Sequence, residues 1–220
     1  MIIAIDGFAG CGKSSTAKVV ASELGYKFID SGAMYRAVTL FVLENKLPLD
    51  NPAEIVAHLP KIVIDFEVDE TTGRNEILLN SKRVEADIRK MEVSENVSVV
   101  AAITEVRHFL VAQQQKMGTQ KGIVMDGRDI GTMVFPNAEI KIYMTADVVE
   151  RAKRRQKELA QKGENVELNS IVSNMEQRDH LDSTREEGPL RQAQDARVLD
   201  TTHLTFDQQV AQIIDWIKAA

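Results

Sequence analysis

The stretch of sequence that decides the fold is Gly7-Phe8-Ala9-Gly10-Cys11-Gly12-Lys13-Ser14. It satisfies the pattern G-x-x-x-x-G-K-[ST], whose glycines let the backbone curl so that successive N–H groups point at phosphate oxygens. In this pattern the lysine reaches the terminal phosphates, and the following hydroxyl can ligate Mg²⁺. We therefore expect these eight residues and the adjacent Ser15 to bind a nucleoside triphosphate.

The residues on either side supply the context that this pattern requires. Residues 2–5 form an apolar run that is typical of a buried strand, and a helix with an apolar face is predicted to follow the loop and to end at Gly25. A glycine-rich turn that only joins strand to helix is therefore disfavoured. Cys11 could be a reactive thiol in this loop, but a small space-filling side chain is the favoured interpretation.

Further along the chain, predicted strands alternate with predicted helices. The strands are expected near residues 26–29, 122–125, 140–144 and 198–199, and the helices near 33–44, 92–117, 168–178 and 205–217, with one more helix that is capped by Asp147 and carries Arg151, Arg154 and Arg155. This alternation indicates an α/β fold with a mostly parallel sheet and helices on both faces. Residues 62–68 and 76–79 instead alternate with period two around a turn at 71–73, which predicts an inserted antiparallel hairpin.

Composition and charge exclude several classes of protein. The net charge of −6 over 220 residues argues against a nucleic-acid partner, and no apolar run approaches the roughly 18 residues of a membrane span. The single cysteine allows no intrachain disulfide, so we expect a cytoplasmic protein. Six of the thirteen arginines nevertheless lie between Arg151 and Arg191, which favours a small polyanion as the ligand.

Two further motifs carry a resemblance to the bacterial cytidylate kinases. Asp30-Ser31-Gly32-Ala33-Met34-Tyr35-Arg36 resembles their D-S-G-A-x-Y-R stretch, and residues 127–136, GRDIGTMVFP, resemble their G-R-D-x-G-T-V-V-F-P stretch. The segment from Lys61 to Arg89 is similar to the extended insert of the bacterial enzymes. The resemblance covers essentially the whole chain, although Leu181 stands where some members have a basic residue.

The resemblance implies a fold and a reaction. The fold is a three-layer α/β/α P-loop kinase fold in a single domain over residues 1–220, with a core of about 1–30, 99–147 and 167–220. A monophosphate-binding insert with a small antiparallel sheet would span about 31–98, and a short lid about 148–166. The reaction is transfer of the γ-phosphoryl group of ATP, with Mg²⁺, to CMP or dCMP. We expect a monomer, because no long exposed apolar stripe remains unassigned.

The resemblance also implies roles for individual residues. Those expected to contact the acceptor phosphate, the cytosine edge or the ribose are Ser31, Gly32, Tyr35, Arg36, Ser98, Arg107, Arg128, Asp129, Arg178, Asp182 and Arg185. Besides Lys13, the expected catalytic residues are Arg128, Arg151 and Arg155. The metal would be held by Ser14 and, through water, by Asp126. Guanidinium forks suit such a site because they bind phosphate bidentately.

Each expectation has an alternative. Ser31 could be only a helix cap, Arg151, Arg154 and Arg155 could form a solvated helix face, and Arg107 and Asp182 could belong to surface ion pairs. A kinase for UMP, shikimate or dephospho-coenzyme A would use the same scaffold. A GTPase-like switch is disfavoured because no Asn-Lys-x-Asp sequence occurs, and a structural protein with a dead loop is disfavoured because Lys13 and Ser14 are present.

Overall fold

The computed structural model describes residues 1–68, 75–161 and 163–219. The chain forms two compact units, of which the first comprises Met1–Ile29 with Gly118–Ala220 and the second Asp30–Met117. Within the described residues, no helix combines the length and the apolar character that crossing a membrane requires.

The elements follow in chain order. The first are β1 (Ile2–Gly7), α1 (Lys13–Leu24), β2 (Lys27–Asp30), α2 (Ser31–Glu44), α3 (Pro52–His58), β3 (Ile64–Val68), β4 (Asn75–Leu79), β5 (Lys82–Arg83), α4 (Met91–Ala101) and α5 (Thr104–Met117). They are followed by β6 (Ile123–Gly127), a π-helical turn (Ile130–Val134), β7 (Ile140–Thr145), α6 (Val148–Gln161), α7 (Leu168–Thr184), β8 (Arg197–Asp200) and α8 (Phe206–Lys218).

A five-stranded sheet in the order β2-β6-β1-β7-β8 forms the centre of the fold. β1 pairs in parallel with both β6 and β7, and β7 pairs in parallel with β8. The apolar residues of β1 and β7 pack with the inner faces of α1 and α8 in one core. The carboxyl ends of these parallel strands lie at one edge of the sheet, where ligands of open α/β sheets bind.

The ends of several helices confirm the local signals in the sequence. Gly25 caps α1 in the left-handed conformation with φ 66°. Thr205 and Gln208 form a capping box at the start of α8. The Asp147 carboxylate accepts hydrogen bonds from the backbone N–H groups of Val149 and Glu150 at the start of α6.

The second unit has its own sheet and its own core. β3 and β4 pair antiparallel with Phe66 opposite Ile77, and β5 adds a third short strand. The buried side of this sheet packs with α2, α4 and α5 in one apolar cluster. The predicted fold is therefore confirmed: a parallel sheet is flanked by helices, and a small antiparallel sheet is inserted. The turn predicted at residues 71–73 lies outside the described residues.

The structure differs from the sequence prediction in two places. The single helix predicted over 92–117 is wrong, because the chain forms α4 and α5 with a break at Ala102 and Ile103, which buries Ile103 in the core of the second unit. α7 runs to Thr184 instead of residue 178. The second unit itself ends at Met117, because Val106 and Leu110 of α5 pack in its core.

Candidate functional site

The phosphate loop runs from the carboxyl end of β1 to the first turn of α1, and its glycines are required by space and by backbone angle. Gly7 has φ 147°, and a Cβ atom there would lie 1.9 Å from the carbonyl oxygen of Met144. Gly12 precedes α1 with φ 93°, in the left-handed region that side chains disfavour. The helix N-terminus that follows presents free N–H groups and the positive end of the helix dipole, which suit a phosphate.

Lys13 is buried within this loop. Its ammonium group donates a hydrogen bond of 2.6 Å to the carbonyl oxygen of Phe8 and lies 3.8 Å from the sulfur of Cys11. Burial lowers the pKa of Lys13 below its ordinary value. The structure thus holds a desolvated cation inside the loop that the sequence predicted to bind phosphate. Cys11 is itself fully buried, as a space-filling residue would be.

Ser14 and Asp126 come together as a candidate metal site. The Ser14 hydroxyl donates a 2.7 Å hydrogen bond to Oδ2 of Asp126, which is buried at the end of β6. Among the described residues there is no cluster of three or more His, Cys, Asp or Glu side chains that could hold a metal. A hydroxyl and one carboxylate nevertheless fit Mg²⁺, which prefers oxygen ligands and keeps substrate phosphates and waters in its shell.

Arg151 is built into the scaffold of the phosphate loop. Its guanidinium group donates to the carbonyl oxygens of Ala9 and Ala146, both at 3.0 Å, and forms a 2.7 Å ion pair with Asp179 of α7. It also lies over the ring of Phe8, 5.2 Å from the ring centre. Only 4% of Arg151 is exposed, so a solvated helix face is wrong for this residue.

The other two arginines of α6 differ from Arg151. Arg154 donates to the side chain and the carbonyl oxygen of Thr201, just after β8, and the Thr201 hydroxyl donates to the carbonyl oxygen of Cys11 at 3.1 Å. Arg155 is partly exposed and pairs with Glu158 on its own helix at 3.2 Å. Arg154 therefore connects α6 to the phosphate loop through Thr201, whereas Arg155 has a local partner.

A cluster of opposite charges follows β6 and extends to the end of α7. Arg128 donates a 2.8 Å hydrogen bond to Oδ2 of Asp182, whose other oxygen lies 3.5 Å from Arg185. Arg185 also lies 3.8 Å from Asp129. Burial would raise the pKa of Asp182, but Arg128 and Arg185 lower it below its ordinary value. The side chains of Asp182 and Arg185 are only 8% and 7% exposed, so a surface ion pair is wrong for Asp182.

Arg178 lies one turn before Asp182 on α7 and adds a third guanidinium group to this cluster. Burial and the neighbouring Arg128 lower its pKa. Its Nε atom is buried and, within the described part of the chain, has no hydrogen-bond partner. A buried cation next to two other arginines is costly without an anion. The cluster is therefore suited to receive one.

The second unit holds another group of the predicted residues around the start of α2. Asp30, and not Ser31 as predicted, is the N-cap: its carboxylate accepts from the N–H of Ala33 at 2.8 Å. Its other oxygen pairs with Arg89 at 2.9 Å. Ser31 and Gly32 form the first turn, where a Cβ atom on Gly32 would lie 3.2 Å from Asp30 Oδ1.

Later residues of the same helix contact two neighbouring segments. Arg36 donates to the hydroxyl of Ser94 at 2.8 Å and to the carbonyl oxygen of Ile88 at 3.3 Å. Tyr35 lies beneath the guanidinium group of Arg107, 5.4 Å from its ring centre. Arg107 is only 1% exposed, so a surface ion pair is wrong for it, and Ser98 of α4 is also buried.

Sequence reasoning missed several residues that shape the site. Asp6 is buried at the end of β1 and accepts hydrogen bonds from the N–H groups of Ile130 and Gly131, both at 2.7 Å. Burial raises its pKa to about 6. An aspartate inside a buried apolar strand was a usable signal for Asp6. Thr201 and Asp179 carried no signal, because their roles depend on contacts with distant residues.

Comparison with known proteins gives a family match over nearly the whole chain. A family model described as cytidylate kinase matches residues 3–219. A protein from Cytophaga hutchinsonii called cytidylate kinase is 50% identical over 215 residues, which are 98% of this chain and 92% of that protein. One from Bacteroides fragilis with the same name is 51% identical over 221 residues, 99% of this chain and 94% of that protein.

Among solved structures, an uncharacterized protein from Eubacterium ventriosum is similar in fold. The TM-score is 0.55 at 12% identity, and the match covers 100% of this chain and 99% of that chain. At this identity the likeness extends to the fold alone.

Proposed function

The chain belongs to the cytidylate kinase family, and from this membership we propose that it transfers the γ-phosphoryl group of ATP to CMP or dCMP, giving ADP and CDP or dCDP. The observation that carries the chemistry is the pairing of two cationic sites in the first unit. One is the phosphate loop with buried Lys13, and the other is the cluster of Arg128, Arg178 and Arg185 around Asp182.

The reaction requires positioning and charge neutralisation more than proton transfer. An oxygen of the acceptor phosphate forms a bond to the γ-phosphorus while the bond from that phosphorus to the β–γ bridging oxygen breaks, and ADP leaves with the electron pair. The second pKa of a phosphate monoester is about 6, so the acceptor oxygen is already anionic at neutral pH. No catalytic base is needed, which agrees with a site made of arginines and one lysine.

On the donor side, the loop of residues 7–15 binds the triphosphate, and Lys13 neutralises charge on its terminal phosphates. Arg151 holds the loop through Ala9 and Phe8, which supports a role in shaping the donor site. Arg155 is the arginine of α6 that can leave its local partner Glu158 for the transferred phosphoryl group. Residues 148–166, of which all but residue 162 are described, act as a lid over ATP.

On the acceptor side, the roles follow the family pattern residue by residue. In the first unit, Arg128 and Arg185 bind the acceptor phosphate, Asp129 the cytosine edge, and Arg178 with Asp182 the ribose. In the second unit, the first turn of α2 with Tyr35 and Arg36 binds the phosphate, and Ser98 and Arg107 the cytosine edge. Residues 31–98 form the monophosphate-binding insert of this proposal.

Ser14 and Asp126 would hold Mg²⁺, Ser14 directly and Asp126 through water. The ion, when bound, supplies positive charge to the phosphate oxygens during transfer. The Ser14 hydroxyl donates to Asp126 Oδ2 at 2.7 Å, so the two proposed ligands lie side by side. We further propose that the protein acts as a monomer in the cytoplasm, without a nucleic-acid or membrane partner.

The test is an assay of ADP release with a panel of acceptors. Purified protein is given Mg²⁺-ATP with CMP, dCMP, UMP, AMP, GMP, shikimate or dephospho-coenzyme A in separate reactions. We expect the highest kcat/KM with CMP or dCMP, with CDP or dCDP identified by chromatography. Turnover of shikimate or dephospho-coenzyme A without turnover of CMP would contradict the proposal, and so would CMP-independent ATP hydrolysis alone.

A further inference from the structure

The buried carboxylate of Asp6 joins β1, which leads into the phosphate loop, to the segment that follows Arg128. Asp6 is the penultimate residue of β1, directly before Gly7, and it is 4% exposed. Its Oδ1 atom accepts from the N–H of Ile130 and its Oδ2 atom from the N–H of Gly131, both at 2.7 Å. Short bonds from two consecutive backbone N–H groups to one carboxylate leave that segment little freedom.

The bonded turn directly follows two residues of the proposed acceptor site. Arg128 and Asp129 immediately precede Ile130 in the chain. Asp129 is the N-cap residue of the π-helical turn Ile130–Val134, but its own side chain does not cap that turn. Asp6 therefore supplies the carboxylate that a local residue would normally supply at the start of such a turn. The position of the Arg128–Asp129 backbone thus depends on β1.

The surroundings of Asp6 allow it little movement. The following Gly7 is confined by the carbonyl oxygen of Met144, where a Cβ atom would lie at 1.9 Å. On the other side, a Cβ atom on Gly131 would lie 3.3 Å from Asp6 Oδ2 and 3.2 Å from the side chain of Lys141. The glycine lets the turn approach the carboxylate closely. The backbone next to Asp6 at Gly7 and the turn that bonds its carboxylate at Gly131 are therefore both closely packed.

We propose that Asp6 is a positioning residue for phosphoryl transfer, which fixes Arg128 and Asp129 relative to the phosphate loop. The inference rests on the proposed function, because that function assigns the phosphate loop to ATP and Arg128 with Asp129 to the acceptor. Asp6 does not touch either substrate in this proposal. Its effect is geometric, since a displacement of about 1 Å between reacting groups can cost about 100-fold in rate.

The kinetic test uses Asp6→Asn, which keeps the shape of the side chain and offers one oxygen to the two N–H groups. We expect kcat/KM for CMP to fall about 100-fold, while the Kd for ATP changes less than about threefold. Thr16→Val is the matched control, because it removes a buried hydrogen bond to Gln209 in the same unit without touching the turn. The control should keep kcat/KM for CMP within about twofold of the wild-type value.

A second measurement needs no activity. In ¹H–¹⁵N spectra of the wild-type protein, the amides of Ile130 and Gly131 should exchange slowly with solvent. In Asp6→Asn at least one of them should exchange about 10-fold faster or more, as expected for the loss of a buried hydrogen bond. Should Asp6→Asn fail to fold, rapid exchange of both amides in the wild-type protein would overturn the proposal, and slow exchange would support it.

The outcomes distinguish the positioning role of Asp6 from the proposed function. Wild-type protein that forms no CDP would end the proposed function, and the amide measurement would still decide whether Asp6 holds the turn. Wild-type protein that forms CDP, together with a folded Asp6→Asn variant of normal kcat/KM, would refute the positioning role alone. Equal losses of ATP and CMP affinity in Asp6→Asn would also refute it, because they would indicate a general distortion.

Discussion

Lys13 shows how a single residue can be prepared for a ligand. Its ammonium group is buried, and it is held by the carbonyl oxygen of Phe8 in the loop. A buried ammonium has lost most of its hydration and gains much from an anion that enters the loop. The lowered pKa is a consequence of the same burial. In the proposed reaction we therefore expect Lys13 to contribute to binding and transfer more than to stability.

We predict that Lys13→Ala lowers kcat by about 100-fold to 1,000-fold, because it removes a cation from the terminal phosphates. The midpoint of thermal unfolding should change little or rise, since a buried charge is removed. Lys18→Ala, which removes an exposed lysine from the same helix, is the control and should retain wild-type kcat. Steady-state kinetics and thermal unfolding check both; near-normal turnover of Lys13→Ala would contradict the assignment.

For single residues, the sequence predicted which residue types form the site better than it predicted the contacts that they make. The loop of residues 7–14 could be identified because its function depends on backbone angles that only certain spacings of glycine allow. The buried state of Arg107, Arg151 and Asp182 could not, because burial depends on partners far away in the chain. Ser31, the alternative cap of α2, lies one residue after the actual cap Asp30, and the sequence does not separate the two because Asp and Ser are both preferred caps.

Glu139 illustrates how one side chain can connect several elements. It lies just before β7, and its carboxylate accepts from the N–H of Ile2 at the start of β1 at 2.7 Å. It also pairs with Lys121, shortly before β6. The hydrogen bond from Lys121 and the one from Ile2 lower the pKa of Glu139 to about 2. The amino ends of three adjacent strands are thereby linked at the edge of the sheet opposite the phosphate loop.

We predict that Glu139→Gln lowers the free energy of unfolding at pH 7 by about 0.5–1 kcal/mol, because it removes the charge that pairs with Lys121. The loss is small because the carboxylate is largely solvated. Since the folded pKa is depressed, this contribution is present above the ordinary value of 4.5 and is lost as the pH falls through about 2. Urea unfolding at pH 7, 5 and 3 should therefore give equal differences at pH 7 and 5 and a smaller one at pH 3.

Glu23→Gln, which changes an exposed carboxylate on α1, is the control and should show no such trend. A difference between wild-type protein and Glu139→Gln that grew as the pH fell would have the wrong sign for this linkage and would refute the prediction.

Helices and strands were predicted well where a local signal marks their ends. The capping box of α8 and the cap of α6 are short-range hydrogen bonds that the sequence displays directly. The break between α4 and α5 has no glycine or proline to announce it. It is favoured by the burial of Ile103, a tertiary effect that outweighs the helical propensity of the segment.

The whole molecule consists of two units with separate cores. Leu110 is fully buried in the core of the second unit, and Ile213 is fully buried in that of the first. The order of elements in the sequence was enough to predict a parallel sheet and an inserted hairpin, because crossover connections allow few other arrangements. The order of elements does not determine where the second unit ends, since this depends on which core α5 joins.

We predict that Leu110→Ala lowers the stability of the second unit by about 2–5 kcal/mol, the usual cost of a cavity at a buried leucine. Amide hydrogen exchange should accelerate in peptides of α2, α4 and α5 and should stay within about twofold in peptides of α1 and α8. Ile213→Ala is the matched control and should give the reverse pattern. Equal acceleration throughout the chain in either variant would show that the two cores unfold as one.

The placement of the only indole in the chain determines what its emission can report. Trp216 lies on α8, partly buried against the core of the first unit, with the guanidinium group of Arg197 5.8 Å from its ring centre. Excitation near 295 nm therefore reports on the first unit, because residues 30–117 contain no tryptophan. A melt followed only by this emission would overlook an early loss of the second unit, and a tryptophan placed at Phe109 would supply the missing signal.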